Sequence, residues 1–183
     1  MRIISGKYGG RKLVSFKADH IRPTTDRVKE SLFNILMTKW DSARVLDLFS
    51  GTGNLAIEAL SREAAYVEAV EIDPRSLEII RANVKLLNIG PELKLVRSDV
   101  IKYLERYKGQ AFDVVLVDPP FTESLSNEVL QTLSESRVIH DQTMIVIESG
   151  SNESFATHYG DLVCVDRRNF GDKIMSFFER KGR

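Results

Sequence analysis

The sequence of 183 residues has one cysteine, three histidines and no long apolar segment. Because Cys164 is alone, no internal disulfide can form, which fits a reducing cytoplasm. The apolar runs are too short to span a bilayer, and the N-terminus has no apolar core of a signal peptide. His20, His140 and His158 do not have the spacing of metal ligands, so no metal site is expected. We expect a cytoplasmic monomer with no membrane association.

The net charge is zero, but the charges are unevenly distributed along the chain. Residues 1–29 hold eight Lys and Arg against two Asp, a net charge of +6. Residues 166–183 carry a net charge of +3, and residues 30–165 carry the balancing −9. Two basic ends around an acidic middle favour a polyanionic partner, although a solvated surface could produce the same pattern.

Short apolar runs alternate with amphipathic stretches from residue 44 onwards, which predicts a mostly parallel α/β sheet. Helices are expected at residues 25–40, 54–62, from 74 to near 90, 100–107 and 126–135. Strands are expected at residues 45–49, 66–72, 93–96, 112–117, 144–147, 162–167 and 174–179. The last two strands form an antiparallel hairpin in this interpretation. Residues 1–24 precede this domain, which spans residues 25–183, and their glycines predict a basic β-hairpin extension.

A glycine-rich turn, Asp47-Leu-Phe-Ser-Gly-Thr-Gly53, follows the first strand and opens a helix. Glycine lets the backbone approach a ligand closely, and a helix N-terminus offers free N–H groups. The spacing of Gly51, Gly53 and Glu71 also satisfies the dinucleotide-binding fingerprint. An NAD-dependent oxidoreductase therefore remains an alternative at this point.

Four consecutive strand ends each carry an acidic residue: Asp47, Glu71, Asp99 and Asp118. Each one alone could be a helix cap or a turn residue. The carboxyl ends of parallel strands meet at one edge of a sheet, where such folds bind ligands. Asp47 would repel a pyrophosphate but attract a sulfonium and an ammonium group, which favours S-adenosylmethionine over NAD. In this interpretation Glu71 holds the ribose and Asp99 accepts a hydrogen bond from the adenine amino group.

The loop Asp118-Pro119-Pro120-Phe121 follows the fourth strand and has its own chemistry. Two prolines fix the backbone, so the carboxylate, the Pro119 carbonyl and the aromatic ring are held beyond the end of the strand. Two acceptors can bind the N–H groups of an amine conjugated to a planar ring, and Phe121 can stack on that ring. This motif predicts methylation of an aromatic amine, but it does not identify the base.

Several segments together resemble one family, the bacterial 16S rRNA guanine-N2 methyltransferases that modify guanine 966. The resemblance covers essentially the whole chain, and its specific part is N-terminal. The segments that carry it are Arg2-Ile-Ile-Ser-Gly-Lys-Tyr-Gly-Gly-Arg-Lys-Leu13, Arg22-Pro-Thr-Thr-Asp-Arg-Val-Lys-Glu-Ser-Leu-Phe33, Asp47-Leu-Phe-Ser-Gly-Thr-Gly53, Glu58-Ala-Leu-Ser-Arg62, Asp118-Pro-Pro-Phe121 and Asn169-Phe-Gly-Asp172. Ser50-Gly-Thr, Phe170 and Lys173 depart from the usual family pattern.

The resemblance implies a class I S-adenosylmethionine-dependent methyltransferase with a Rossmann-like, mostly parallel, seven-stranded sheet. The implied substrate is a guanine of 16S rRNA in the small ribosomal subunit or its assembly intermediate, and the implied product of the cofactor is S-adenosylhomocysteine. The residues assigned to the cofactor are Asp47, Phe49, Gly51, Gly53, Glu71, Ile72, Asp99, Val100 and Asp118. Those assigned to catalysis are Asp118, Pro119, Pro120 and Phe121. Those assigned to RNA are Arg2, Lys7, Arg11, Lys12, Arg22 and Arg27.

Three alternatives stay open on the residues alone. The first is an amino-methyltransferase acting on DNA adenine N6, another RNA base or a protein glutamine, because the Asp-Pro-Pro-Phe loop is shared by many such enzymes. The second is the NAD-dependent oxidoreductase. The third is a non-catalytic RNA-binding or assembly factor that kept the fold, against which the intact loop argues.

Overall fold

Strands and helices alternate along the chain as the hydrophobic pattern predicts. The computed structural model describes residues 1–15, 26–120 and 123–181. The strands are β1 (Arg44–Leu48), β2 (Tyr66–Glu71), β3 (Leu93–Arg97), β4 (Phe112–Val117), β5 (Ile139–Gly150), β6 (His158–Tyr159), β7 (Leu162–Phe170) and β8 (Lys173–Arg180). The helices are α1 (Asp26–Ile35), α2 (Asn54–Ser61), α3 (Pro74–Leu87), α4 (Val100–Arg106) and α5 (Glu123–Glu135).

All the strands belong to one sheet with the order β3-β2-β1-β4-β5-β8-β7-β6. The first five strands in this order are parallel, and β8, β7 and β6 are added in antiparallel pairs. The chain order reverses between β1 and β4, so the crevice beyond their carboxyl ends is the expected ligand site of such a sheet. The prediction of a mostly parallel α/β fold is confirmed, with eight strands in the described residues instead of seven.

Helices cover both faces of the sheet because successive strand residues point to opposite sides. Val45 packs in one core with residues of α1, α2 and α3, whereas its neighbour Leu46 packs in a second core with residues of α4 and α5. None of the helices described is long and apolar enough to cross a membrane.

Helix α1 is shorter than the predicted helix over residues 25–40. It ends at Ile35, and a 3-10 turn follows at Met37–Lys39. The indole Nε1 of Trp40 donates to the carbonyl of Phe33 at 2.9 Å, and the two rings lie 4.4 Å apart. Burial of Trp40 therefore folds the chain back at a point where a periodic pattern alone predicts a continuous helix.

The described part of the extension, residues 1–15, pairs with itself and is also fastened to helices. Arg2 and Lys12 form an antiparallel bridge, and Ile3 N donates to the carbonyl of Arg11 at 2.9 Å. Residues 16–24 of the predicted extension lie outside the described part. Its backbone N–H groups bind helix side chains: Tyr8 N donates to Ser61 Oγ at 2.9 Å, and Val14 N to Asn83 Oδ1 at 2.7 Å. The extension is therefore held on the surface of α2 and α3.

Gly6 allows this close packing. Its φ of +82° lies in the left-handed region, and a Cβ atom there would lie 1.7 Å from the carbonyl oxygen of Ser61. No side chain fits unless the extension moves away from α2.

A buried ion pair joins α1, α2 and the extension. Lys29 and Glu58 are 1% and 0% exposed, and their charged atoms lie 3.0 Å apart. The Lys29 ammonium also donates to Asn54 Oδ1 at 2.8 Å and to the carbonyl of Arg2. The Glu58 carboxylate accepts from the N–H groups of Ile4 and Ser5 at 2.8 and 3.2 Å. Burial lowers the pKa of Lys29, while Glu58 opposes this effect.

Candidate active site

Asp47 lies inside β1, as the strand predicted over residues 45–49 has it, and ahead of the glycine-rich turn with which it was also grouped. Its residue pairs with Ala69 of β2 and Leu116 of β4, and it is 1% exposed. One carboxylate oxygen, Oδ2, accepts from the N–H of Ala56 at 3.1 Å. The other, Oδ1, is buried without a hydrogen-bond partner among the described residues. Burying a carboxylate oxygen without a hydrogen-bond partner costs free energy, unless a bound ligand supplies the missing interaction.

The electrostatic surroundings of Asp47 show that three of the predicted acids lie together. Burial, together with the negative charges of Asp118 and, to a smaller extent, Glu71, raises the pKa of Asp47 to about 8. The N–H of Ala56 acts in the opposite direction. The predicted clustering of Asp47, Glu71 and Asp118 at one edge is therefore observed in the fold.

The turn after β1 has an unusual backbone. Phe49, Gly51 and Gly53 have φ values of +62°, +54° and +76°. A non-glycine residue at positive φ is uncommon and is concentrated at functional sites. Gly53 caps α2, and a Cβ atom there would lie 3.1 Å from the side chain of Ile80. The turn thus places the backbone N–H groups at the start of α2 next to the buried carboxylate of Asp47.

Glu71 is the last residue of β2 and is held by three backbone N–H groups. Its Oε2 accepts from Gly51 N, and its Oε1 accepts from Ile72 N and Asp73 N, each at 2.8 Å. A carboxylate has about four acceptor positions, so one remains for a ligand hydroxyl. Ile72 beside it is 59% exposed, an apolar surface next to the assigned ribose position.

Asp99 also acts as a helix cap, which is the simpler explanation of its position. Its Oδ1 accepts from Lys102 N at 3.0 Å at the start of α4. The residue is only half-buried, and its neighbour Val100, the first residue of α4, is buried. Capping and adenine binding are compatible because the two carboxylate oxygens can act separately.

The predicted catalytic loop begins directly after β4. Asp118 is half-buried, Pro119 is buried and Pro120 is exposed. Phe121 lies outside the described residues.

A small cavity beside Asp118 contains an acid that the sequence analysis missed. It lies between the sheet and helices α1 and α2, and apolar side chains form most of its wall. Those apolar residues are Leu32, Leu55, Leu116, Val117, Val146 and Met175. Glu148 completes the wall and forms a buried ion pair with Lys173 of β8. The sequence could have indicated Glu148, because it follows the apolar run of β5 as Asp118 follows the apolar run of β4.

Among the six residues assigned to RNA, five are in described positions and Arg22 is not. Arg2, Lys7, Arg11, Lys12 and Arg27 are all exposed. Arg2 is paired with Asp26 at 2.8 Å, which reduces the charge it can offer to a phosphate. The described residues contain no group of three or more His, Cys, Asp or Glu side chains placed to hold a metal ion.

The charge of the site fits a cationic ligand such as S-adenosylmethionine better than the pyrophosphate of a dinucleotide. A buried acid with an unsatisfied oxygen attracts a positive centre and repels a pyrophosphate. The sheet order and this row of acids define a class I methyltransferase of the Rossmann-like type. A family model described as conserved hypothetical protein 95 matches residues 1–179, and the chain belongs to this family.

Known relatives agree with the predicted resemblance. The chain is 38% identical to ribosomal RNA small subunit methyltransferase D of Escherichia coli (strain K12), over 81% of this chain and 74% of the relative. It is 32% identical to YlbH of Bacillus subtilis (strain 168) over the full length of both. The solved structure of yhhF from Escherichia coli has 33% identity and a TM-score of 0.88, covering 100% of this chain and 99% of that one. The predicted family and fold class are confirmed.

The pKa of Asp47 predicts a pH-dependent cofactor affinity. A cation favours the ionised carboxylate, so binding of S-adenosylmethionine should release a proton below pH of about 8. We expect the affinity to rise between pH 6 and about 8 and to level off above that range. Calorimetric titrations at several pH values and in buffers of different ionisation enthalpy measure both effects.

The Asp47→Asn variant is the matched control, since its side chain cannot titrate and should bind the cofactor with weak, pH-independent affinity. A wild-type affinity that does not change with pH would contradict this account of Asp47.

The raised pKa of Asp47 also means that folding takes up a proton between pH 3.8 and about 8. The contribution of Asp47 to stability is therefore complete below pH 3.8 and is lost as the pH rises to about 8.

Proposed function

We propose that the protein transfers the methyl group of S-adenosylmethionine to the exocyclic N2 amine of guanine 966 in 16S rRNA of the small ribosomal subunit. The observation that carries the proposal is the Asp-Pro-Pro loop directly beyond β4, coupled to the buried Asp47 at the switch point of the sheet. The named relative in Escherichia coli supports the RNA substrate. The cytoplasm is the proposed location.

The residues assigned to the cofactor would hold it, and when bound it supplies an electrophilic methyl group on a sulfonium centre. Asp47 faces its positive charges, the N–H groups after Gly51 and Gly53 approach its methionine end, and Glu71 accepts from its ribose hydroxyls. In this arrangement Ile72 and Val100 supply apolar contacts to the adenine, and Asp99 accepts from the adenine amino group. Phe49 supports the turn.

The loop after β4 would prepare the amine. The carboxylate of Asp118 and the carbonyl of Pro119 accept hydrogen bonds from the two N2–H groups and direct the nitrogen lone pair out of the ring plane. The guanine must leave its stack to reach this loop, as bases do in other base-modifying enzymes, and Phe121 is assigned to stack on it. The methylated amine loses a proton readily, so alignment of the amine supplies most of the effect.

The N-terminal extension would orient the RNA. Lys7, Arg11 and Lys12 are exposed and make no ion pair with any described residue, so their charges are available to phosphates. Phosphate contacts fix position without specifying sequence. In this proposal the protein acts as a monomer, and its substrate is an assembled or partly assembled small subunit.

Methyl transfer from labelled cofactor to small subunits, DNA and protein tests the proposal. We expect labelling of small subunits that lack the modification, and none of DNA or protein. The variant Lys7→Gln with Arg11→Gln should raise the KM for subunits by about tenfold and leave cofactor affinity unchanged, because each phosphate contact adds salt-dependent affinity. Labelling of DNA or protein in place of the subunits would overturn the assigned substrate, and an unchanged KM would overturn the assigned role of the extension.

A further inference from the structure

A basic groove lies at the β3 end of the sheet, on the side covered by α4 and away from the extension. Six of its lining residues are positively charged and one is negatively charged. The positive residues are Arg44, Lys94, Arg97, Lys102, Arg106 and Lys108. They all lie within residues 30–165, which carry a net charge of −9. The net charge of that segment therefore does not reveal the groove.

The single acid of the groove is neutralised by its neighbours. Glu68 is 3% exposed, and its carboxylate lies 3.0 Å from the ammonium of Lys94 and accepts from the hydroxyl of Tyr66 at 3.0 Å. The other five cations make no ion pair with any residue that the structure describes. Such a concentration of positive charge attracts anionic ligands to the groove.

The walls of the groove are aromatic and planar. The guanidinium of Arg44 lies 4.5 Å from the centre of the Tyr66 ring and 5.3 Å from that of Phe112, and its Nε has no hydrogen-bond partner among the described residues. Tyr107 lines the same groove and is partly exposed, as Tyr66 is, whereas the lining residue Tyr103 is mostly buried. Positive grooves with aromatic walls bind the backbone of single-stranded nucleic acid and stack its bases.

The groove reaches the cofactor edge of the sheet. Arg97 ends β3, Ser98 follows it in the lining, and the next residue is Asp99, which is assigned to the adenine. Lys102 and Arg106 are both exposed and lie one turn apart on α4, about 6 Å along the helix axis. The described exposed large apolar residues are all elsewhere, which argues against a membrane surface.

We propose that this groove is a second RNA-binding surface, which holds a single-stranded segment of the substrate rRNA on the α4 side while the extension holds it on the α2 side. The proposal rests on the proposed function for the identity of the RNA. It makes the protein a clamp with two separate sets of phosphate contacts around one active edge.

Two pairs of substitutions with the same change in charge test the proposal. Lys102→Gln with Arg106→Gln removes two charges from the groove, and Arg81→Gln with Lys85→Gln removes two charges from exposed positions of α3 on the opposite face. All four side chains are exposed, so thermal unfolding should be unchanged and confirms that the variants fold. Filter binding of small subunits lacking the modification is measured at several salt concentrations, together with kcat and KM.

The groove variant should bind subunits about tenfold more weakly, and the magnitude of its log–log salt slope should fall by about 1.4, since each contact to a single strand contributes about 0.7. Its kcat and its affinity for S-adenosylmethionine should be unchanged. Equal affinities of the wild type and the groove variant, or an equal loss in the α3 variant, would overturn the proposal. Binding is measured without catalysis, so wild-type protein that binds subunits but labels none would contradict the proposed function and leave the groove result interpretable.

Discussion

Replacing Asp118 with alanine is expected to lower kcat for methyl transfer by roughly 10² to 10³, the usual effect of removing one group that stabilises a transition state electrostatically. The carboxylate is one of the two acceptors assigned to the reacting amine. Its loss leaves the amine with the Pro119 carbonyl alone, so the lone pair remains conjugated to the ring for more of the time. Single-turnover labelling of small subunits measures the effect on the chemical step.

A second readout distinguishes this role from a structural one. The charge of Asp118 helps to raise the pKa of Asp47, so its removal should lower that pKa. The pH at which cofactor affinity levels off should therefore move below about 8 in Asp118→Ala. Asp118→Asn keeps an acceptor oxygen and loses the charge, so it should show the same pH shift with more activity than Asp118→Ala.

Asp141→Ala is a suitable control because it removes a carboxylate near the start of β5, at the opposite edge of the sheet. Its side chain is 86% exposed and lies 3.8 Å from Arg180. We expect wild-type rates in this variant. Activity of Asp118→Ala within about threefold of the wild type would contradict the assigned role, since each lost hydrogen bond to a charged acceptor should cost more than that.

Replacing Lys29 with methionine is expected to lower the free energy of unfolding by about 3–5 kcal/mol, the usual cost of removing one partner of a buried ion pair. Methionine keeps most of the volume, so the loss reports the charge and its hydrogen bonds. The Glu58 carboxylate loses its buried cation, and the carbonyl of Arg2 and Oδ1 of Asn54 lose a donor. Urea unfolding followed by circular dichroism measures this loss.

Lys85→Met is the matched control, since Lys85 is an exposed lysine of α3 without an ion pair among the described residues. It should change stability by no more than about 0.5 kcal/mol. Because Glu58 also holds the N–H groups of Ile4 and Ser5, Lys29→Met should in addition increase hydrogen exchange at those two residues. Arg62 Nε also lies 3.1 Å from Glu58 Oε1. A loss below about 1 kcal/mol would contradict the expectation and show that Arg62 and the extension suffice to stabilise the carboxylate.

The strand ends of the candidate site could be predicted from the sequence because they depend on residues that are close together in the chain. Asp followed by Pro is a strong start signal for a helix, and Asp73 caps α3 by accepting from Arg75 N at 2.8 Å. Glu71 follows a buried run and ends its strand. Asp47 lies within the strand predicted over residues 45–49, but only the pairing of β1 with two neighbours shows how deeply its carboxylate is buried.

Contacts between residues far apart in the chain could not be predicted from the sequence. The extension resembles a hairpin in sequence, but its N–H groups bind Glu58, Ser61 and Asn83, which lie more than 50 residues away. Strand β5 begins at Ile139 although its first part is polar, because Ile139 pairs with Phe112 and a register shift follows. The basic groove joins β1, β2, β3 and α4, so it exists only in three dimensions.

The most direct test of the central claim is the identity of the modified nucleoside. Small subunits that lack the modification are incubated with the protein and S-adenosylmethionine, and their 16S rRNA is digested and analysed by mass spectrometry. The account predicts N2-methylguanosine at position 966 with the wild type and none with Asp118→Ala. A methyl group on another atom or base, or cofactor binding without any methylated nucleoside, would contradict it.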